Sequence, residues 1–198
     1  MLRGPNGTGR FHLMAGSAQP LTDWVQRLAA RAKWVFDIGS CTAYGGFSAS
    51  TPGNPLEACG LQYDVDTPGG LLGPGFRSSG GLPVVNLAGC PTHPGWIVDT
   101  LEKLAFDGLT VDALDEVGRP LLYAEQLVHH GCPKNEFYEF KASAEKQGDL
   151  GCLMENLGCK GTQAHADCNT RAWNGTGSCL KGGFACIACT EPGFEAPN

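Results

Sequence analysis

The cysteines of this chain constrain its fold more than any other feature. Seven of its ten cysteines come after residue 130, and a histidine stands three residues before the first of them. The set is His129, Cys132, Cys152, Cys159, Cys168, Cys179, Cys186 and Cys189. These ligands suffice for two four-ligand metal sites, and thiolates favour soft metal centres, iron–sulfur clusters above all. The sequence therefore predicts a protein that carries electrons through buried clusters.

Glycine next to cysteine is a second recurring pattern. The pairs are Gly89-Cys90, Gly131-Cys132, Gly151-Cys152 and Gly158-Cys159. Glycine lets the backbone approach a cluster closely and direct N–H groups at its sulfur atoms. The 29 glycines have no fixed period, which excludes a collagen-like chain.

The first half has the pattern of an α/β domain. We expect a helix from a cap at Thr22 or Asp23 to about Lys33, and a second helix from about Trp96 to Phe106. The predicted inward faces are Trp24, Val25, Leu28 and Ala32 in the first helix, and Ile97, Leu101 and Leu104 in the second.

Two short apolar strands, residues 34–39 and 83–88, each lead into glycine and then cysteine. In an open parallel sheet, ligands bind beyond the carboxyl ends of the strands, so Cys41 and Cys90 should face one crevice. The Gly- and Pro-rich stretch between them, residues 42–82, is long for a connection without clear structure. We expect it to cover the site or to meet a partner.

The chain divides into two predicted regions, a partial parallel-sheet domain over residues 1–120 and an irregular metal-binding domain over residues 121–198. The second region has little periodicity, so bound clusters would stabilise it in place of a core. Cys41 and Cys90 supply two thiolates, whereas a cubane cluster needs four. We therefore expect a segment with two further cysteines before residue 1, and a chain truncated at both ends.

Charge and hydropathy exclude several classes of protein. The net charge is -6 and no Lys/Arg block occurs, which argues against nucleic acid as a partner. No apolar run is long enough to cross a bilayer. Residues 1–10 lack the apolar segment of a signal peptide, so we expect a reducing compartment, the cytoplasm, where thiols stay available for metal.

Other interpretations of the cysteines remain open on spacing alone. Zinc accepts a Cys₃His set readily, so a zinc-stapled interaction module without redox activity is the main alternative. A secreted disulfide protein would also have an even cysteine count, although such domains are usually shorter. The pair Cys186 and Cys189 has the spacing of a thioredoxin-like motif, but residues 184–185 make a poor preceding strand.

Four motifs together resemble the small subunit of [NiFe] hydrogenases. They are residues 38–41 (IGSC) followed by Gly45-Gly46, residues 88–94 (AGCPTHP), residues 151–161 (GCLMENLGCKG) and residues 186–192 (CIACTEP). The resemblance extends over essentially the whole chain. It implies a flavodoxin-like domain followed by a largely irregular iron–sulfur domain. It also implies a large-subunit partner that holds the Ni–Fe centre, in a heterodimer or a dimer of heterodimers.

The resemblance further implies a ligand set for each of three clusters. Cys41 and Cys90 match the proximal [4Fe-4S] cluster, whose other two ligands lie in the family on an N-terminal Cys-x-x-Cys. The distal [4Fe-4S] cluster matches His129, Cys132, Cys152 and Cys159, with His130 as a rival to His129. The medial cluster matches Cys168, Cys186 and Cys189. Many members have proline where Cys179 stands, so we predict a medial [4Fe-4S] rather than [3Fe-4S] cluster.

Two departures from other members limit the resemblance. Gly46 stands where some oxygen-tolerant members carry an extra cysteine, so a six-cysteine proximal cluster is not expected. Cys59 matches no ligand position and is expected to be an ordinary core or loop thiol.

Residues 152–157 look most like the cytoplasmic uptake and hydrogen-sensing branch, in which the partner is a redox acceptor or a sensor histidine kinase. A cluster-binding component of a respiratory NADH-oxidising complex shares the first domain, but the region from Leu121 onward argues against it.

Overall fold

The computed structural model describes residues 1–196, so residues 197 and 198 of the predicted second region lie outside the described part. The helices of the first half are α1 (Leu21–Ala29), α2 (Ser40–Tyr44), α3 (Gly46–Ser50) and α4 (Pro94–Glu102), and those of the second half are α5 (Leu121–Ala124), α6 (Asn135–Glu139) and α7 (Met154–Leu157). The strands are β1 (Phe36–Ile38), β2 (Tyr63–Asp64), β3 (Thr67–Pro68) and β4 (Val85–Leu87). Short 3₁₀ turns cover Pro5–Gly7, Val111–Ala113 and Val128–Gly131, and a π-helical turn covers Lys103–Asp107.

The two predicted strands form a parallel pair. Phe36 lies opposite Val85 and Ile38 opposite Leu87, so β1 and β4 end at the same edge of the sheet. Both strands consist mainly of apolar residues and lead into glycine, which ends the extended segment. The parallel arrangement confirms the predicted α/β fold and brings the segments of Cys41 and Cys90 to one edge.

The bounds and the face predicted for the first helix are wrong. The helix α1 begins directly after Pro20, whose fixed φ suits a helix start, and it ends four residues before Lys33. Thr22 is therefore inside the helix and buried rather than a cap. Because the helix packs through Thr22 and Ala29, which are seven residues apart, Leu28 is left 62% exposed.

The second predicted helix exists, but its inward face differs from the prediction. The α4 helix is capped by His93, whose Nδ1 accepts a hydrogen bond from the Gly95 N–H at 3.0 Å. Trp96 is buried and stacks on Tyr123 with ring centroids 4.2 Å apart. This aromatic pair sets the rotation of the helix, so Leu101, predicted to pack inward, is exposed.

The connection over residues 42–82 contains more structure than its composition indicates. It holds the rest of α2, the α3 helix and the antiparallel hairpin of β2 and β3. Phe47 of α3 packs edge-on against Phe194 near the end of the described chain, with centroids 5.9 Å apart. That this connection meets a partner stays a prediction.

The main hydrophobic core is shared between the two predicted regions. Leu87 and Trp96 from the first half pack with residues of the second half. The buried partners from the second half are Tyr123, Ala124, Val128, Ala144, Leu153, Ala164, Ala166, Leu180, Cys186, Ala188 and Phe194. Because the irregular region contributes few helices, its loops are stabilised against the sheet and α4. Within residues 1–196, no helix combines the length and apolar character that a membrane span requires.

Candidate metal centres

The structure gathers the predicted ligands into three groups. The proximal pair is Cys41 and Cys90, the medial set is Cys168, Cys179, Cys186 and Cys189, and the distal set is His129, Cys132, Cys152 and Cys159. All ten cysteines are free thiols. Cys59 is buried and lines neither the medial nor the distal cavity, as expected of a core thiol.

The distal set lines one small cavity, whose empty volume of about 340 Å³ includes open solvent. All four of its members contribute to the wall, and the wall includes His129 rather than its rival His130. The 3₁₀ turn over Val128–Gly131 presents His129, and Tyr138 packs edge-on against the imidazole at 4.6 Å between centroids. The N–H of Lys134 donates to Cys132 Sγ at 3.4 Å. The chain is thus folded to direct both side chains and backbone donors at one point.

The medial set lines a larger cavity, with an empty volume of about 1310 Å³ including its open mouth. Its four cysteines share the wall with Cys90 of the proximal pair. The rest of the wall is mostly apolar and includes Trp96, Trp173, Val128, Ala166 and Leu180. Trp173 packs at 4.8 Å from the His93 ring, consistent with a packing role. Such a wall restricts water and so affects the potential of any redox centre bound there.

The proximal pair lies where β1 and β4 end, as the strand pattern predicts. Cys41 is the second residue of α2 and Cys90 follows β4, and both are exposed. Gly46 lies directly behind Cys41 with a φ of +62°. A Cβ at position 46 would be 2.5 Å from Cys41 Sγ, so the glycine leaves room for that thiol.

The three groups form a continuous series. The Cys41 thiol lies near that of Cys90, and the Cys90 thiol lies near that of Cys189 in the medial set. At the other side of the medial set, the N–H of Cys186 donates to Cys159 Sγ of the distal set at 3.3 Å. Thiols therefore run from the edge of the sheet, through the medial cavity, to His129.

Burial sets the protonation of these thiols. It raises the pKa of Cys168 and of Cys186 to about 12, and it raises the pKa of Cys90, Cys132 and Cys189 as well. Without a metal, these groups are neutral thiols at neutral pH. A metal centre would bind them as thiolates and release their protons.

The donor set fits iron–sulfur clusters better than zinc. In the described chain, no three His, Cys, Asp or Glu side chains come close enough together to ligate a single metal ion. Three thiolates on one zinc ion would each lie about 2.3 Å from it. The medial thiols line a wider cavity, and backbone N–H groups point at the sulfur atoms of Cys159 and Cys186, which suits a polynuclear centre.

Polar groups that no local sequence pattern predicts hold the segment directly after Cys189 in place. Arg119, whose side chain is 4% exposed, pairs with Asp115 at 2.6 Å and Glu191 at 2.7 Å, and donates to the Thr190 carbonyl at 3.0 Å. Glu191 and Thr190 follow Cys189 directly. The Glu-Pro after the last cysteine pair is a sequence signal, but nothing local identifies Arg119 as its partner.

Comparison with known proteins identifies the family of this chain. A family profile for the C-terminal part of the NiFe/NiFeSe hydrogenase small subunit matches residues 124–198. The F420 non-reducing hydrogenase II small subunit of Methanosarcina mazei is 33% identical over 96% of this chain. The chain belongs to the [NiFe] hydrogenase small-subunit family. The periplasmic [NiFe] hydrogenase small subunit of Solidesulfovibrio fructosivorans is 31% identical over 94% of the present hydrogenase chain.

A second family profile, described as NADH ubiquinone oxidoreductase, 20 Kd subunit, matches residues 6–104. The first region alone would therefore leave the respiratory alternative open. The match of residues 124–198 to the hydrogenase profile decides for the hydrogenase small subunit, as the region from Leu121 predicts.

Solved structures share the fold of this small subunit. An actinobacterial-type NiFe-hydrogenase chain from Ralstonia eutropha H16 superposes with a TM-score of 0.81 at 35% identity, over 96% of this chain and 55% of that one. The [NiFeSe] hydrogenase from Desulfovibrio vulgaris Hildenborough gives 0.79 at 31% identity, over 96% of this chain and 68% of that one. The chain spans 51% of the Methanosarcina relative and 54% of the Solidesulfovibrio relative, about half of their length.

Proposed function

We propose that this chain acts as the electron-transfer subunit of a [NiFe] hydrogenase. Dihydrogen would be oxidised at a Ni–Fe centre on the large subunit, and the electrons would leave through iron–sulfur clusters held by this chain. No acid–base or nucleophilic side chain here is assigned to the hydrogen chemistry. The observation that carries the proposal is the unbroken series of thiols from Cys41 to Cys152.

The residues assigned to each centre are those of the three groups. Cys41 and Cys90 would hold part of a proximal centre, the medial set a [4Fe-4S] or [3Fe-4S] centre, and the distal set a [4Fe-4S] centre. Iron–sulfur clusters, when bound, supply one-electron oxidation and reduction. This chain contributes thiolates, N–H donors to sulfur, and apolar walls that limit water, and these set the potentials.

The exposed proximal edge favours a large-subunit partner there. Cys41 and Cys90 are exposed together with Ile38 (55%) and Phe47 (61%). The segment expected before residue 1 would supply the other two proximal ligands, and a large subunit would cover the apolar side chains of Ile38 and Phe47 beside them. This arrangement supports the predicted heterodimer.

Co-purification with a large subunit tests the proposed function. The full-length small-subunit gene product, expressed with the large subunit in anaerobic cells, should form a complex that reduces an artificial dye with dihydrogen. Replacing Cys159 with serine should leave the complex assembled but slow dye reduction, because the distal set loses a ligand. A complex that forms, contains nickel and reduces no dye would contradict the proposal.

The proposed branch of the family rests on two resemblances. The sequence of residues 152–157 resembles the cytoplasmic uptake and hydrogen-sensing branch, and a relative named as an uptake hydrogenase small subunit, from Afipia carboxidovorans, is 27% identical over 96% of this chain. We assign the chain to a cytoplasmic uptake or sensing enzyme on this basis. In a sensing enzyme the redox partner would be a histidine kinase. Dihydrogen-dependent autophosphorylation of a co-expressed kinase would support sensing, and its absence alongside dihydrogen uptake would favour the uptake role.

A further inference from the structure

One buried hydroxyl joins the chain segments of three predicted ligands. Ser40, the residue before Cys41, is 1% exposed. Its Oγ accepts the N–H of Gly89 at 2.9 Å and donates to the carbonyl oxygen of Cys189. Gly89 directly precedes Cys90. A single side chain is therefore bonded to the segments of Cys90 and Cys189 while it is covalently next to Cys41.

Further contacts join the same chain segments. The Ser40 N–H donates to the Gly89 carbonyl at 3.1 Å, so residues 40 and 89 are bonded in both directions. Cys90 and Cys189 also line the same cavity. The proximal pair and the medial set thus meet at a contact with no intervening layer of side chains.

The junction between the medial and distal sets has a different construction. There the Cys186 N–H donates to Cys159 Sγ at 3.3 Å, and the Lys160 N–H donates to the Cys186 carbonyl at 2.8 Å. In these two bonds the donors are backbone N–H groups, and the single side-chain atom is Cys159 Sγ, itself a predicted ligand. No substitution there removes the bond without also removing a ligand. At the proximal–medial junction, by contrast, a side chain provides the bond, and substitution can test it.

We propose that Ser40 is a positioning residue that fixes the distance and coupling between the proximal and medial centres. The inference rests on the proposed function, since it concerns electron transfer between bound clusters. Cys41 and Cys90 would hold the centre that gives up one electron, and Cys189 would help to hold the centre that accepts it. No bond to Ser40 breaks, and its proton stays on Oγ. Its two hydrogen bonds keep the ligand segments in contact, and electron transfer slows steeply as donor and acceptor separate.

A purely structural role for Ser40 predicts a different result. If the hydroxyl served only to satisfy the buried Gly89 N–H and Cys189 carbonyl, its loss would lower stability and leave the coupling between centres unchanged. The readout must therefore report the relation between the two centres rather than activity or stability alone.

The test uses two substitutions of nearly equal shape in the complete heterodimer. Ser40→Thr keeps the hydroxyl, and Ser40→Val replaces it with a methyl group. We expect the magnetic splitting between the reduced proximal and medial centres, measured by electron paramagnetic resonance, to fall in the valine variant and to stay near wild type in the threonine variant. Amide hydrogen exchange at Gly89, which needs no redox chemistry, should be faster in the valine variant than in the threonine variant.

Ser78→Val is the matched control, because Ser78 is also buried and its hydroxyl donates to the Leu82 carbonyl away from the ligand segments. It should leave the splitting unchanged. Loss of iron from the valine variant alone is expected of a purely structural role as well, so in that case Ser40→Ala supplies the readout. Should both variants lose iron, Ser40→Ala decides, since it makes the site smaller: reduced splitting supports the role and wild-type splitting overturns it.

Two outcomes overturn the inference. One is a valine variant with full iron content and wild-type splitting. The other is an equal change in both variants, which would assign the effect to shape rather than to the hydroxyl. Failure of the proposed function gives a distinct result, because the wild-type complex itself would then lack iron–sulfur signals.

Discussion

Gly46 leaves room for the thiol of Cys41, a predicted ligand of the proximal centre. Its φ is +62°, and a Cβ at this position would lie 2.5 Å from Cys41 Sγ, which leaves no room for a side chain. We predict that Gly46→Ala lowers the free energy of unfolding by about 1–2 kcal/mol through backbone strain alone, and further through displacement of Cys41. Chemical denaturation of the anaerobic complex measures the loss.

Gly53→Ala is the control for this prediction. Gly53 has a φ of +76° and nothing within 4 Å of a Cβ at its position, so it reports backbone strain without a thiol contact. Equal losses of unfolding free energy in the two variants would show that displacement of the Cys41 thiol does not lower stability.

Asp37 is a buried acid in the middle of β1. Neither of its carboxylate oxygens has a hydrogen-bond partner within residues 1–196, and burial raises its pKa well above 3.8. The groups that face it include the phenols of Tyr44 and Tyr123. Because the folded state binds this proton more tightly than the unfolded state, stability is highest below the unfolded pKa and falls as pH rises towards the folded pKa.

We predict that Asp37→Asn removes this decline. Between about pH 4 and pH 8, the thermal midpoint of the variant should depend less on pH and exceed that of wild type at the upper end. Asp66→Asn, at an exposed acid, is the control and should leave the wild-type profile intact. A wild-type profile that rises with pH over this range, and is unaltered by Asp37→Asn, would contradict the assignment.

Cys179 decides the nuclearity of the medial centre. It lines the medial cavity together with Cys168 and Cys189, and its thiol lies near both of theirs. A fourth thiolate supports a fourth iron, so Cys179→Pro should convert the medial signal to that of a [3Fe-4S] cluster in electron paramagnetic resonance. Cys59→Ala, at a thiol outside the three groups, should not. An unchanged [4Fe-4S] spectrum in the proline variant would remove Cys179 from the ligands.

Among the structural elements, the turn before α5 anchors the loop that ends the medial set. Arg119 there is almost fully buried and bonded to Asp115, Glu191 and the Thr190 carbonyl. We predict that Arg119→Met destabilises the protein by about 3–5 kcal/mol, because it leaves two largely buried carboxylates, those of Asp115 and Glu191, without their cation. Urea denaturation measures this loss.

The matched control is Arg171→Met. Arg171 pairs with Asp99 and Asp167 but its side chain is 35% exposed, so the loss should be at most about 1 kcal/mol. Similar losses at both positions would mean that burial does not distinguish the two networks.

The elements also show what the sequence could and could not predict. Strands ending in glycine and cysteine are local patterns, and they correctly predicted the parallel pair and the meeting of the segments that carry Cys41 and Cys90. The faces of α1 and α4 were wrong because tertiary contacts, such as the stack of Trp96 on Tyr123, set helix rotation. The bonds of Ser40 to Cys189 and of Arg119 to Glu191 join residues far apart in sequence, and no local pattern encodes them.

At the scale of the whole molecule, the irregular second region and the sheet depend on each other. Their shared core contains Leu87 and Trp96 on one side and Val128, Leu153 and Leu180 on the other. The medial cavity lies along this boundary, because residues of both regions line it. Loading of metal and folding of the loops should therefore be coupled, as in other domains whose metal sites contribute to stability.

Iron and acid-labile sulfide analysis of the anaerobically purified, full-length protein tests the central claim most directly. The account predicts a brown protein that contains iron and sulfide in about equal amounts, little zinc, and cluster signals on reduction. A colourless protein with stoichiometric zinc and no labile sulfide would contradict it.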